Sequence, residues 1–538
     1  MRQPPPVQST ASKFGMVTSP HLVATQCGVR VLEGGGNAIE AAIATAAALC
    51  VTHPHFCGLG GDAFLIIAGA NGLIRNVSGM GQAAHKVDGY CGSIPVRGPR
   101  SALTTAGTVD ALRCAWDIST QMGGKRSWGS LLKPAIALAR EGYEVSNSER
   151  FWLDFRRAQS HEMPDVFSQF SMDGRVPEVG TVRKQLQLAR TLELLADRGP
   201  RDFYEGDLAA RLAQGLAQAG SPLTASDLAR TQARVEEPLR LPYRDGTLIA
   251  HQPPTQGITS LQIMGILERF DLQNIPQGSA DYYHLLVEAV KQAFLDRDRF
   301  VADPEYVDVP VDWLLSAGHL DGQAASIHMQ SALPWPQRFK TGDTVFVGAA
   351  DAQGHAVSLL ATVYFDWGSG VMAGDTGVLW HNRGASFSLD PAHPNVLAPG
   401  KRPFHTLNPG MYLQGGQPKI IYGTQGADGQ PQTLAAILTR MIDYKMDPLQ
   451  ALAQPRFLLG KTFSDTGETL KLEADVPLAV QNELTRRGHV LRKLDAQSPL
   501  MGHPGAIVLD ADTGLMRGAH DPRSDGRALG VHAMAAEA

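Results

Sequence analysis

The chain has 538 residues, 43% of them hydrophobic and 19% charged, with a formal net charge of −5. That length suits one large α/β domain or two to three smaller ones, and the apolar content can fill a sizeable core. So small a net charge argues against nucleic acid or an anionic membrane as partner. The five cysteines, Cys27, Cys50, Cys57, Cys91 and Cys114, crowd into the first quarter without CxxC spacing, and their odd number does not suggest a disulfide framework. A reduced compartment is expected. The first ten residues lack the apolar core of a secretory signal, and the apolar stretch from Ala38 to Val51 is interrupted by Glu40 and too short to span a bilayer. The expectation is a soluble, cytoplasmic protein.

In chain order, Gly34-Gly35-Gly36-Asn37 followed by Ala38-Ile39-Glu40 predicts a turn, an Asn cap and a buried helix. Gly58-Leu59-Gly60-Gly61-Asp62-Ala63 imitates a GxGxxA dinucleotide loop. It precedes the strand-like run Phe64–Ala68 rather than a helix, which is the wrong order for a cofactor site. From Trp128 to about Arg299 helical periodicity dominates, as in Leu131, Leu132, Ala135 and Leu138. After Ser331 short β-like runs recur at 344–350, 355–362, 418–423, 469–473 and 504–509, with a Pro/Gly loop from Asp390 to Pro403 and a helix from Thr433 to Tyr444. Strands at both ends of the chain predict one layered α/β domain. His53 and His55 lack an acid or cysteine at ligand spacing, so no metal is expected, and no GxSxG elbow occurs.

Thr344 opens the run 344–350, directly after the polar stretch Trp335–Asp343. On spacing alone it is an ordinary strand threonine. As the first residue of a chain it would be more: an α-amine titrates near ~7.7–8.0, so a usable fraction is neutral at pH 7 and can take the hydroxyl proton. An internal threonine gains that amine only after a cut before it, with Oγ1 attacking the Asp343 carbonyl.

The block Asp351-Ala352-Gln353-Gly354-His355-Ala356-Val357-Ser358, then Thr362 and Trp367-Gly368-Ser369-Gly370, resembles the self-cleavage segment of the γ-glutamyltransferase family. Gly58–Asp62, Ala106-Gly107-Thr108-Val109, Lys401-Arg402-Pro403 and Asp521-Pro522-Arg523-Ser524-Asp525 extend that resemblance over nearly the whole chain. It implies an N-terminal nucleophile hydrolase with a four-layer αββα sandwich. Cleavage between Asp343 and Thr344 would give a large chain, 1–343, and a small chain, 344–538, that remain together as a heterodimer, and such heterodimers can pair into a heterotetramer. Thr344 matches the nucleophile and Thr362 its supporting threonine. Gly426 and Ala427 fall at the oxyanion turn, with Ala427 in place of a second glycine. No cofactor is implied.

The resemblance breaks where the family grips a γ-glutamyl group. Ser78 stands in the place of a carboxylate-binding arginine, Ser386 replaces the acid that holds the ammonium, His405-Thr406 replaces a serine pair, and Tyr364 replaces an asparagine. Arg383 is gained, and an arginine suits planar carboxylate binding. The pattern is closest to the branch that includes oxamate amidohydrolase and cephalosporin-acylase-like members. The expected function is hydrolysis of a small carboxylate-bearing amide such as oxamate, with Arg383, His405, Thr406, Ser78 and Tyr364 around the substrate. The alternatives are a γ-glutamyltransferase or glutathione hydrolase, a glutaryl or cephalosporin-type acylase, and an uncleaved family member acting as a binding protein.

Overall fold

The computed structural model describes residues 8–335, 343–461 and 467–532. Two seven-stranded sheets dominate it. The first runs, in spatial order, Arg527–Gly530, Gly15–Ser19, Asp343–Asp351, Ala356–Tyr364, Asp62–Ala68, Ile74–Gly79 and Arg234–Glu236. The second runs Thr10–Ser12, Met516–His520, Gly505–Leu509, Gln417–Gly423, Gly410–Gln414, Gly246–Ala250 and Leu239–Tyr243. Every pairing between neighbouring described strands of these two sheets is antiparallel.

The layering follows from period-2 alternation with both faces buried. On the strand Asp343–Asp351, Val345, Val347 and Ala349 face a helical layer that includes Ala38–Thr52, Thr108–Gln121 and Trp128–Glu141. Phe346 and Ala350 of the same strand face the other sheet, where they meet Ile249, Met411, Ile421 and Ile507. The outer face of the second sheet (Leu241, Leu248, Tyr412, Ile420) packs on the helices Gly257–Leu267, Ala280–Phe300 and Gln430–Ile442. Helix, sheet, sheet, helix is the expected αββα sandwich.

The expected turn and helix after Gly34 form with a full capping box. The Asn37 side chain accepts from the Glu40 N–H, and Glu40 accepts from the Asn37 N–H. Glu40 also accepts from the Arg126 N–H at 2.7 Å, which accounts for an acid in a wholly buried helix.

The span expected to be helical to Arg299 is interrupted by the hairpin Leu239–Tyr243/Gly246–Ala250, which forms one edge of the second sheet. Its alternation was in the sequence: Leu239, Leu241 and Tyr243 are buried while Arg240 and Pro242 are exposed. The run at 469–473 is a strand, Leu470–Glu473, but it belongs to a separate three-stranded sheet outside the sandwich. Residues 336–342 of the polar stretch before Thr344 lie outside the described residues. No described helix is long and apolar enough to cross a membrane.

The two sheets approach closely at Gly423, where a Cβ would lie 2.3 Å from Cδ2 of Phe346. Glycine there is what lets the strand carrying Thr344 lie against the strand that leads into the Gly426-Ala427 turn. Gly423→Ala is therefore expected to lower the unfolding free energy by about 1–3 kcal/mol, the range for overpacking. Denaturant unfolding checks this, and adding Phe346→Leu should restore part of the loss.

Candidate active site

Register brings the site residues to one end of the first sheet. Thr362 pairs with Asp62, Ala63 with Gly79, and Asp343 with Tyr364, with a register irregularity between Asp343 and Val345. Thr344, Thr362 and Asp62 share the side-chain face of Phe346, Leu360 and Phe64, which points toward the second sheet. All three are fully buried.

Thr344 Oγ1 accepts a hydrogen bond of 3.0 Å from Gln430 Nε2. Gln430 is the first residue of the helix Gln430–Ile442, which begins three residues before the expected start. Thr362 Oγ1 accepts from the Tyr364 N–H at 2.7 Å, which holds Tyr364 at a φ of +78°. Thr362 is fixed from its other side by close approach: a Cβ on Gly61 would lie 2.1 Å from the Thr362 carbonyl oxygen. The Gly58–Gly61 run is thus a packing device ahead of a strand, as its order relative to Phe64 suggested.

Gly426 and Ala427 form a turn with φ of +128° and +44°. A left-handed alanine costs roughly 1–2 kcal/mol. It is held by Gln256, whose Nε2 donates to the Ala427 carbonyl at 2.7 Å and to the Thr406 carbonyl at 2.6 Å. Among the described residues neither the Gly426 nor the Ala427 N–H has an acceptor. Two free backbone donors beside a hydroxyl-bearing strand end are the raw material of an oxyanion hole.

Arg383 is fully buried. Its guanidinium stacks on the Tyr364 ring, 3.7 Å from the centroid, and both terminal nitrogens donate to Thr406 Oγ1 at 3.2 and 3.3 Å. Nε has no partner, and no carboxylate among the described residues lies within ion-pair distance. Burial lowers its pKa to about 10, against the pull of Tyr364, Asp62 and Asp428, so it is still a cation at neutral pH. Tyr364 Oη also has no hydrogen-bond partner among the described residues.

His405 is positioned differently. Its Nε2–H donates to Asp62 Oδ2 at 3.1 Å while Nδ1 accepts from the Leu407 N–H at 3.2 Å, so both ring nitrogens are occupied by protein. Asp62 Oδ1 takes the Gly81 and Gly107 N–H groups, each at 3.0 Å. Burial alone would raise the Asp62 pKa, but His381, His405 and Arg383 outweigh it and hold the carboxyl below its usual range. Ser78 lies one strand further out, beside Phe64, and borders a cavity lined also by Arg230, Arg234 and Arg402. Ser386 Oγ donates to the Phe404 carbonyl at 3.1 Å. The structure therefore gathers Thr344, Thr362, Tyr364, Arg383, Thr406 and the Gly426-Ala427 turn, with His405 behind them as a support.

Gln430, Gln256 and Asp62 are contributors that sequence reasoning did not single out. Glutamine gives no pattern signal, and Asp62 was read only as part of the glycine run. One group of metal-ligand types occurs among the described residues, His284, Glu288 and His489, within 4.8 Å of one another. Its atoms are committed internally. His284 bonds His489 at 2.9 Å and the His328 carbonyl at 3.0 Å, and Glu288 pairs with the Lys291 ammonium at 2.7 Å. A cation already fills that place.

The γ-glutamyltranspeptidase family pattern matches residues 24–531. The chain belongs to that family. It is 42% identical over 527 residues to the oxamate amidohydrolase proenzyme of Klebsiella pneumoniae, covering 97% of this chain and 99% of that one. It is 40% identical over 521 residues to the glutathione hydrolase-like YwrD proenzyme of Bacillus subtilis, covering 96% and 98%. Among solved structures, a cephalosporin acylase from Bacillus halodurans superposes with a TM-score of 0.90 at 31% identity, covering 98% of both chains. Membership establishes an enzyme of the N-terminal nucleophile hydrolase type, and the antiparallel αββα fold agrees with it. The names of these relatives differ in substrate, so the choice of acyl group must come from the site itself.

Buried histidines make the acid response predictable. Burial lowers the pKa of His251, His405 and His520 to about 3 each. Between pH 6.5 and 3 the unfolded chain binds protons that the folded chain refuses, so stability is full above about 6.5 and falls as acid is added. Each such group contributes a slope of about 1.4 kcal/mol per pH unit. Denaturant unfolding from pH 7 to 4.5 is expected to show that decline, and His405→Gln to make it shallower by about one proton's worth.

Proposed function

We propose that the chain cuts itself before Thr344 and then, as a heterodimer of residues 1–343 and 344–538, hydrolyses the amide of a small substrate whose carboxylate lies beside the scissile carbonyl. Oxamate is the simplest molecule that meets this description. The observation that carries the reading is Arg383: a buried guanidinium without a carboxylate partner beside the candidate nucleophile's end of the sheet. Leaving such a charge unpaired costs several kcal/mol unless a ligand or strong hydrogen bonds compensate. Stacking on Tyr364 and two long bonds to one hydroxyl supply part of that. A planar carboxylate in the same place would supply the rest in bidentate form.

In the precursor, Thr344 Oγ1 attacks the Asp343 carbonyl carbon, the Asp343–Thr344 bond breaks toward nitrogen, and water hydrolyses the resulting ester. The freed α-amine then accepts the Oγ1 proton as Oγ1 attacks the substrate amide. The Gly426 and Ala427 N–H groups face the developing oxyanion, and Gln430 orients Oγ1. Collapse expels ammonia, protonated by the α-ammonium, and leaves an acyl ester on Thr344. Water releases it as the dicarboxylate, oxalate in the case of oxamate. A γ-glutamyl group fits poorly, since Ser386 stands where the family resemblance implies the acid that holds its ammonium.

Two measurements test this. Purified wild-type protein is expected to migrate on denaturing gels as fragments of 343 and 195 residues, and Thr344→Ala as one uncut chain. A wild type that stays uncut would support the non-catalytic alternative instead. On cleaved enzyme, Arg383→Ala should lower kcat/KM for oxamate by roughly 10- to 150-fold, mainly through KM, as expected for a charge-assisted contact of ~1.5–3 kcal/mol. Turnover of γ-glutamyl-p-nitroanilide at rates that match oxamate, or an unchanged KM in Arg383→Ala, would remove the reading.

A further inference from the structure

A cavity of about 370 Å³ opens where the end of the strand Ile74–Gly79 meets the turn before Arg402 and the segment 230–234. That volume suits a small-molecule site, typically about 300–1,000 Å³. Its charged lining has one sign. Arg230, Arg234 and Arg402 border it, with the His85 ring beside them, and none of its described lining residues is an Asp or Glu.

Three of these side chains are paired with carboxylates that are not among the cavity's lining residues. Arg234 pairs with Glu305 at 2.6 Å, Arg402 with Asp303 at 2.6 Å, and His85 with Asp227 at 3.1 Å. Glu236 lies close enough to Arg402 and Arg234 to feel both. Arg230 has no carboxylate partner among the described residues. Arg402, nine-tenths buried, leaves its Nε without a hydrogen-bond partner. Ser78 and Gln82 add neutral donors to the same lining.

We propose that this cavity is a second anion-binding site, separate from Arg383, for a small polyanion carrying two or more carboxylate or phosphate groups. One carboxylate would answer Arg230 alone, whereas a ligand with several acceptor groups can also reach the unbonded Nε of Arg402 and the edge of Arg234 that Glu305 leaves open. The site also touches the catalytic end of the sheet through short connections. The Gly81 N–H, next to lining residue Met80, bonds Asp62, and Arg402 lies on the run that continues to His405 and Thr406.

The test is isothermal titration of the full-length protein at low salt with citrate and, separately, inorganic pyrophosphate. Wild type is expected to show a saturable site for at least one of them, and which one responds identifies the carboxylate or phosphate source. Arg230→Gln should weaken it, and Arg230→Gln with Arg234→Gln should weaken it by at least about tenfold. Arg383→Lys should leave it unchanged. Thermal unfolding of each variant verifies folding, and exposed Arg230 provides a single change that does not disturb an ion pair. Absence of saturable binding to wild type, or binding that survives the double variant and is lost in Arg383→Lys, would overturn the proposal. These binding readouts are independent of amide hydrolysis, so failure of the proposed activity is distinguishable.

Discussion

One buried carboxylate holds the candidate-site end of this molecule together. Asp62 sits at the start of a central strand with no exposure to solvent, and it stays ionised because its oxygens take two backbone N–H groups and the His405 ring. Each partner belongs to a different piece of chain. Gly81 and Gly107 come from the loops on one side, His405 from the segment that carries Thr406, and His381, 3.5 Å away, from the segment that carries Arg383. The side chains around the candidate substrate site are thus set relative to the sheet by the charge of a residue that need not touch substrate. A buried charge satisfied in this way is rigid, because any movement of a partner exposes its desolvation cost.

Against that fixed frame, Arg383 is the unbalanced element. The Asp62 carboxylate is near enough to bias its titration, yet not within ion-pair reach, and the nearest contacts are an aromatic face and a hydroxyl. A γ-glutamyl site needs one cation and one anion to hold a zwitterion. Here the anion's position is a serine whose hydroxyl is spent on the Phe404 carbonyl. On the proposed function, the one charge gained at Arg383 would make the same family fold a holder of a bare carboxylate.

Much of this was legible in the sequence. The αββα layers follow from strand runs with both faces apolar, as in Val345, Phe346, Val347 and Ala349. The Asn37 cap could be read from residue type and order, whereas Thr344, Thr362, Gly426 and Ala427 were brought together only by the family resemblance. The hairpin at Leu239–Ala250 was missed because its alternation spans only five residues between strongly periodic helices. Gln256 and Gln430 were invisible for another reason: a glutamine's role depends on which distant backbone carbonyl or hydroxyl it meets. His405 shows the converse limit. Its type and position suggested substrate contact, while in three dimensions Asp62 and the Leu407 N–H occupy both ring nitrogens.

The central claim is that a carboxylate-bearing acyl group passes through an ester on the first residue of the small chain. The most direct measurement is intact-mass spectrometry of cleaved enzyme quenched in acid during turnover of oxamate, followed by peptide mapping. The account predicts an oxalyl adduct confined to the chain that begins at Thr344, located on Thr344 itself and reduced in Arg383→Ala at the same subsaturating substrate concentration. An adduct on another residue, or steady oxamate hydrolysis by an enzyme whose small chain does not begin at Thr344, would contradict it.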